Sequence, residues 1–214
     1  MIKTFLIVSL LLFTSCSMEP APNSWEYKSS SYFESYKKNF LCDKEILAQA
    51  DLQSARSFAK RGGDVTQLAS IELGKCALNI AVGINDKCAE YQEMEELVSC
   101  PRIKNYYKML QKEWGDIDLE MIPAKYKEFV AVMQKGDLTQ ANKIVQKIDD
   151  PVSKLLAAAL LGDEVSKETL SGSIETMSFY GYKKGIVFLL KKLRDKTEDP
   201  QAKRLLIKKL ELLE

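Results

Sequence analysis

Helix punctuation recurs along the second half of this chain at intervals that leave room for little except helical hairpins. Gly136-Asp137, Asp150-Pro151, Gly162-Asp163 and Asp199-Pro200 each set a helix stopper beside a new cap or a first-turn proline. Between them the apolar residues keep a helical period, predicting helices around residues 124–134, 138–148, 152–161, 165–177, 180–195 and 200–213. The first half is read the same way. Trp25, Tyr32, Phe33, Tyr36 and Phe40 form one stripe of a helix ending near Cys42. Asp43 is expected to cap a second helix through Ile46, Leu47, Leu52, Ala55, Phe58 and Ala59, closed by Gly62-Gly63. Asp64 caps a third, carrying Leu68, Ala69, Ile71, Leu73, Ala77 and Leu78 and closed by Gly83. A fourth, acidic helix should carry Cys88, Tyr91, Met94, Leu97 and Val98 and stop before Cys100-Pro101. No alternating strand pattern or Asn-Gly hairpin signal competes, so the fold class is all-α, an array of antiparallel helical hairpins.

The least periodic stretch is 101–123, with a helix around Ile103, Tyr106, Tyr107, Met109 and Leu110 and a turn at Trp114-Gly115-Asp116. A boundary between N-terminal hairpins (25–100) and C-terminal hairpins (101–214) falls there, unless the two form one continuous domain.

The first residues carry an address. Lys3 precedes the apolar run Phe5-Leu6-Ile7-Val8-Ser9-Leu10-Leu11-Leu12-Phe13, too short for the roughly 20 residues of a membrane span. It reads as a signal peptide. Leu12-Phe13-Thr14-Ser15-Cys16 resembles the lipobox of bacterial lipoproteins. That resemblance implies cleavage after residue 15, lipidation of Cys16 and acylation of the new amino terminus, with two or three acyl chains giving durable attachment. Residues 16–24 then form a Pro-containing tether. In the sorting rule of enteric bacteria an Asp after the lipidated cysteine retains a protein in the inner membrane; Ser17 stands there instead, which implies the outer membrane, facing the periplasm.

Lipidation leaves Cys42, Cys76, Cys88 and Cys100, an even number in an oxidising compartment, and two disulfides are expected. Cys88 and Cys100 on one helix would be about 18 Å apart, too far to bond. Cys42 with Cys88 is the preferred pair and Cys76 with Cys88, across a helical hairpin, the next; free buried cysteines are the remaining alternative.

A weak internal repeat accompanies the hairpins. Asp51-Leu52-Gln53-Ser54-Ala55 and Asp137-Leu138-Thr139-Gln140-Ala141 match at three of five places. Gly136-Asp137-Leu138, Ala141 and Pro151 resemble the second helix and closing proline of tetratricopeptide repeats, and Leu73-Gly74 with Ala77 resembles the Leu-Gly step of the first. The resemblance covers about half the mature chain, lacks the Trp near the repeat start and implies a tetratricopeptide-like or related α-solenoid body.

The 214 residues contain no histidine, which excludes Ser-His-Asp, Cys-His and HExxH chemistry. Phe33-Glu34-Ser35 contains the Glu-Ser pair of lytic transglycosylases, without their downstream Gly-Leu-Met-Gln-type segment. Gly62-Gly63 and Lys75 do not form a phosphate-binding loop, and no carboxylate motif of the EF-hand kind is present. No catalytic residue, metal ligand set or cofactor is nominated. A net charge of +1 gives no global reason to bind nucleic acid. Charge is uneven, with Asp86, Glu90, Glu93, Glu95 and Glu96 in the middle and an excess of lysine and arginine from Lys183 onward. The last helix is apolar beyond a narrow stripe at Leu205, Leu206, Ile207, Leu210, Leu212 and Leu213, as if to close the stack or dock a partner helix. The expected function is a lipid-anchored envelope protein, attached through Cys16, that serves without catalysis as a scaffold or assembly factor for an envelope protein; a peptidoglycan-active or ligand-binding lipoprotein is the alternative.

Overall fold

A computed structural model describes residues 24–214. The segments expected to be a lipobox, a lipidated Cys16 and a tether, up to residue 23, lie outside the described residues, and the first described helix begins at Ser24. Eleven α-helices follow: α1 (Ser24–Leu41), α2 (Glu45–Gly62), α3 (Val65–Ala81), α4 (Ala89–Gln92), α5 (Pro101–Gln111), α6 (Ala124–Gln134), α7 (Leu138–Lys147), α8 (Pro151–Leu161), α9 (Lys167–Tyr180), α10 (Lys183–Lys196) and α11 (Pro200–Leu213). There is no strand among the described residues.

Local chemistry explains most boundaries. The side chains of Asp64, Asp137, Asp150, Ser166 and Asp199 each accept a backbone N–H in the first turn of the helix they open. Such caps contribute about 0.5–2 kcal/mol apiece. Pro101, Pro151 and Pro200 occupy first-turn positions, where the missing N–H costs no hydrogen bond. Two expected caps are corrected. Asp43 takes φ 63° in the tight α1–α2 turn, leaving Lys44 before α2 without a side-chain cap. Asp163 falls inside a 3-10 turn, Gly162–Glu164, and Ser166 caps α9 instead.

The N-terminal hairpin is tight because the inner face of α2 is small: Ala48, Leu52, Ala55 and Ala59 are buried against Tyr36, Phe40 and Leu41 of α1. Ile46 and Leu47, expected on that face, lie off its helical register and are exposed, Ile46 at 86%. α3 crosses α1 closely at Gly74, where an added Cβ would come within 2.3 Å of the Phe33 ring. A part-buried ion pair ties α2 to α3, with Arg56 Nε 2.7 Å from Glu72 Oε1.

At the centre α3 packs against α8, pairing helices about eighty residues apart. Ile71, Leu73, Cys76 and Leu78 of α3 and Leu155, Leu156, Ala158 and Leu160 of α8 are buried in one continuous apolar cluster that runs from Tyr36 to Leu210. Truncating a leucine there costs about 2–5 kcal/mol. Consecutive helices pack as neighbours in α6–α7, α8–α9, α9–α10 and α10–α11, and α10 returns to meet α1. Buried side chains from 25–100 and from 101–214 thus share the same core.

Candidate functional site

Two clefts open side by side where the end of α3, the loop after it and α10 converge. The loop is fixed from within. Asp86 Oδ1 accepts the backbone N–H of Cys88 at 2.7 Å, and Asp86 Oδ2 accepts from Asn79 Nδ2 at 2.7 Å. A disulfide joins Cys76 to Cys88, Cα to Cα 5.2 Å. Cys88 at φ 56° therefore starts α4 from outside the helical region, and Met94 at φ −120° interrupts again before a 3-10 turn, Glu95–Leu97. The expected long acidic helix is thereby reduced to these two short pieces. The preferred pairing of Cys42 with Cys88 is also corrected: Cys42 and Cys100 are free and half-buried. Cys42 belongs to the α1–α2 turn, whose Asp43 pairs with α10, whereas Cys76 and Cys88 share one corner. Asp86, Cys76 and Cys88 bring a carboxylate and two sulfurs within 4.8 Å of one another, but both sulfurs are spent in the disulfide.

The first cleft, about 570 Å³, is bounded by Asp43, Val82, Gly83, Ile84, the α10 face of Lys183, Lys184, Val187, Phe188 and Lys191, and Leu213-Glu214. The second, about 400 Å³, shares Gly83, Ile84 and Phe188 and continues over Asn85, Lys87, Gln111, Lys112, Gly162 and Lys192. The Phe188 ring is the partition. Gly83 sits under it at φ 82°, and a Cβ there would lie 2.5 Å from Cδ2 of the ring. The three described non-glycine residues with positive φ are Asp43, Cys88 and Lys112. Asp43 and Lys112 line the clefts, and Cys88 anchors the loop between them. Strained backbone of this kind concentrates where a surface is shaped for use.

The lysines are held loosely. Lys183 lies 2.9 Å from Asp43, Lys184 2.6 Å from Glu45, Lys191 2.6 Å from Glu214 and Lys192 2.9 Å from Asp163. Lys184 also covers the Phe40 ring, Nζ 4.1 Å from its centroid. The hydrogen bond from Lys184 holds the Glu45 carboxyl below its ordinary range. The pairs of Lys183 and Lys191, whose side chains are 41% and 47% exposed, are worth about 0–1 kcal/mol, so a competing carboxylate displaces them at small cost. Lys112 differs. Its ammonium has no ion pair or hydrogen bond among the described residues, and burial, aided by the charge of Lys192, pushes its pKa down. An anion entering the second cleft relieves both effects.

Beside the first cleft, α11 turns Leu206, Leu210 and Leu213 inward and leaves Leu205, Ile207 and Leu212 outside, the last 88% exposed. Lys203, Arg204, Lys208 and Lys209 form no ion pairs among the described residues. The basic C-terminal third is thus neutralised in part by Asp43, Glu45, Asp163 and Glu214, while Glu90 of the acidic stretch pairs with Lys75.

Glu34 is a solvated residue of α1, paired with Lys37 and lining neither cleft. Gly62-Gly63 end α2, with Gly63 as a left-handed C-cap. A narrower pocket of about 160 Å³ lies across the core between Phe33, Gly74, Tyr106, Tyr126 and Asp150; burial pushes the Tyr126 hydroxyl up to about 12. Sequence reasoning placed Gly83 only as a helix stop, without its role under Phe188, and missed Phe188 and Lys112. The visible signal for Gly83 was a short turn between cysteines twelve residues apart. For Lys112, a left-handed position usually filled by glycine, there was none. No family model, curated protein or solved structure matches the chain. No helix among the described residues is long and apolar enough to cross a membrane.

Proposed function

We propose that this chain is a lipid-anchored envelope protein, attached through Cys16 and facing the periplasm from the outer membrane, that acts without catalysis as a scaffold or assembly factor. Its helical hairpins are of tetratricopeptide-like or related type. That type is supported by Gly136 at φ 70°, the Asp137 cap, buried Ala141 and Pro151 opening α8. The carrying observation is the surface made by the two clefts and the outer face of α11. It alternates apolar groups (Ile84, Phe188, Leu212) with weakly held lysines (Lys183, Lys191, Lys192). An acidic amphipathic helix of a partner protein fits that pattern, its apolar stripe covering the exposed leucines and its carboxylates exchanging with Asp43 and Glu214.

A photo-crosslinking side chain at Leu212 or Ile84, in cells, tests this. A discrete crosslinked species is expected, lost when Lys183 and Lys191 are changed to Glu and unaffected by Glu34→Gln. Absence of any discrete species, or indifference to charge reversal, defeats the scaffold assignment. Fractionation of Cys16→Ser tests the anchor separately: the protein should leave the membrane, and unchanged association removes the lipoprotein assignment.

A further inference from the structure

The other end of the α1–α2 hairpin has a different surface chemistry. Because α1 and α2 run antiparallel, the first turns of α1 lie beside the last turns of α2. Ser29 Oγ donates to the carbonyl of Ala55 at 3.0 Å, and the Trp25 ring covers Gly62 so closely that a Cβ there would come within 2.4 Å. Around this end Tyr27 is 73% exposed, and Tyr32 stacks on Phe58 with ring centroids 5.6 Å apart and planes 9° from parallel. Lys28 Nζ and Arg61 Cζ approach the same ring at 5.4 Å and 5.0 Å. Lys28, Lys60 and Arg61 have no carboxylate partner among the described residues, in contrast to Lys183, Lys184, Lys191 and Lys192 of the clefts. The acids at this end are Glu26, which is exposed, and Asp64, which accepts the N–H of Gln67 at 3.0 Å; against Lys28, Lys60 and Arg61 they leave a net positive charge.

We infer that this end of the hairpin, centred on Trp25, Tyr27, Lys28, Tyr32, Phe58 and Arg61, is a docking face for the anionic phospholipid surface of the membrane that holds Cys16. The inference rests on the lipid-anchor proposal above. Two features of this end select a lipid surface as the occupant. The first is chemical: tyrosine and tryptophan settle at headgroup depth, and lysine and arginine spread apolar stems while their charges meet phosphate. The second is geometric. Only residues 17–23 separate Cys16 from Ser24, and seven residues reach at most about 25 Å even when fully extended. Tethering at that length gives an effective concentration in the mM range, so a weak surface affinity suffices for occupancy. The nine residues of α1 beyond Tyr32 then carry the opposite end of the hairpin, where Asp43 and Glu45 meet α10, about 14 Å further out than the face. Docking at one end therefore directs the clefts away from the bilayer.

The test uses the full lipidated chain with Trp114→Phe, so that Trp25 is the remaining tryptophan, reconstituted into vesicles of brominated phosphatidylcholine with and without phosphatidylglycerol. Trp25 emission should be quenched, more so with phosphatidylglycerol. Each basic residue contributes about fivefold at an anionic surface, so Lys28→Glu with Arg61→Glu should lower the docked-to-undocked ratio by at least ~25-fold. Unchanged circular dichroism in that variant keeps the comparison to surface charge. Unquenched Trp25 in protein that still floats with the vesicles overturns the docking face and leaves the anchor standing. Quenching indifferent to both phosphatidylglycerol and charge reversal overturns it as well. Failure of the anchor is read elsewhere, from Cys16→Ser chains that stay in the membrane.

Discussion

Removing the Cys76–Cys88 disulfide is the perturbation whose cost can be worked most directly from the structure. The bond closes a loop of twelve residues. Opening it returns about 3 kcal/mol of chain entropy to the unfolded state at 25 °C. Both cysteines are 1% exposed, so Cys76→Ala with Cys88→Ala also leaves small cavities and adds to that figure. For a chain of this size each kcal/mol moves the melting temperature by about 2–4 °C, which predicts a fall of roughly 6–12 °C. The assay is urea unfolding followed by circular dichroism, with a parallel thermal scan. Residues 82–87 should in addition lose amide protection before the rest of the molecule, because Asp86 and the disulfide hold that loop together. A loss below about 1 kcal/mol, with the loop amides as protected as before, would mean that the cross-link constrains neither state.

Three further outcomes are expected. Thiol labelling of unfolded, unreduced protein should modify Cys42 and Cys100 and spare Cys76 and Cys88; four labelled thiols, or none, would contradict the bonding described. Gly83→Ala should destabilise by about 1–2 kcal/mol from its left-handed backbone alone, with more from displacement of Phe188, and a crystal structure of the variant should show that ring moved. Burial raises the hydroxyl pKa values of Tyr91 and Tyr126 to about 12 from an ordinary 10. Protons are then held more tightly folded than unfolded, so the contribution of these two tyrosines to stability is fully present below about pH 10 and is lost as the pH rises towards about 12. Equilibrium unfolding at several alkaline pH values checks this, and Tyr126→Phe should flatten part of the slope.

Helices α1 to α3 and α5 to α11 were legible from their apolar period, and α3, α7, α8 and α11 also because their first turns are written in local chemistry. Asp64, Asp137, Asp150 and Asp199 act on backbone groups two or three residues away, and a one-dimensional reading detects such contacts. The acidic segment 88–98 was misread because a bond to Cys76 overrides its helical period. Asp43 failed as a cap for a related reason: closing a tight turn required a positive φ, and its carboxylate went to Lys183, 140 residues away. The clefts were the least legible. Their walls come from six segments, and what joins them, the ring of Phe188 over Gly83 and the unpaired Lys112, exists only after α10 has folded back onto the end of α3.

The left-handed residues around the clefts imply a trade between durability and use. Asp43 and Lys112 each hold a conformation that glycine adopts without steric cost, at about 1–2 kcal/mol for Lys112 and less for Asp43, because aspartate tolerates the left-handed region. Asp43→Gly and Lys112→Gly should therefore yield a hardier protein, with a higher melting temperature. The same exchanges strip a carboxylate from the first cleft and the unpaired ammonium from the second. A chain optimised for endurance alone would have glycine at both positions; this one keeps charged side chains there and forgoes that margin.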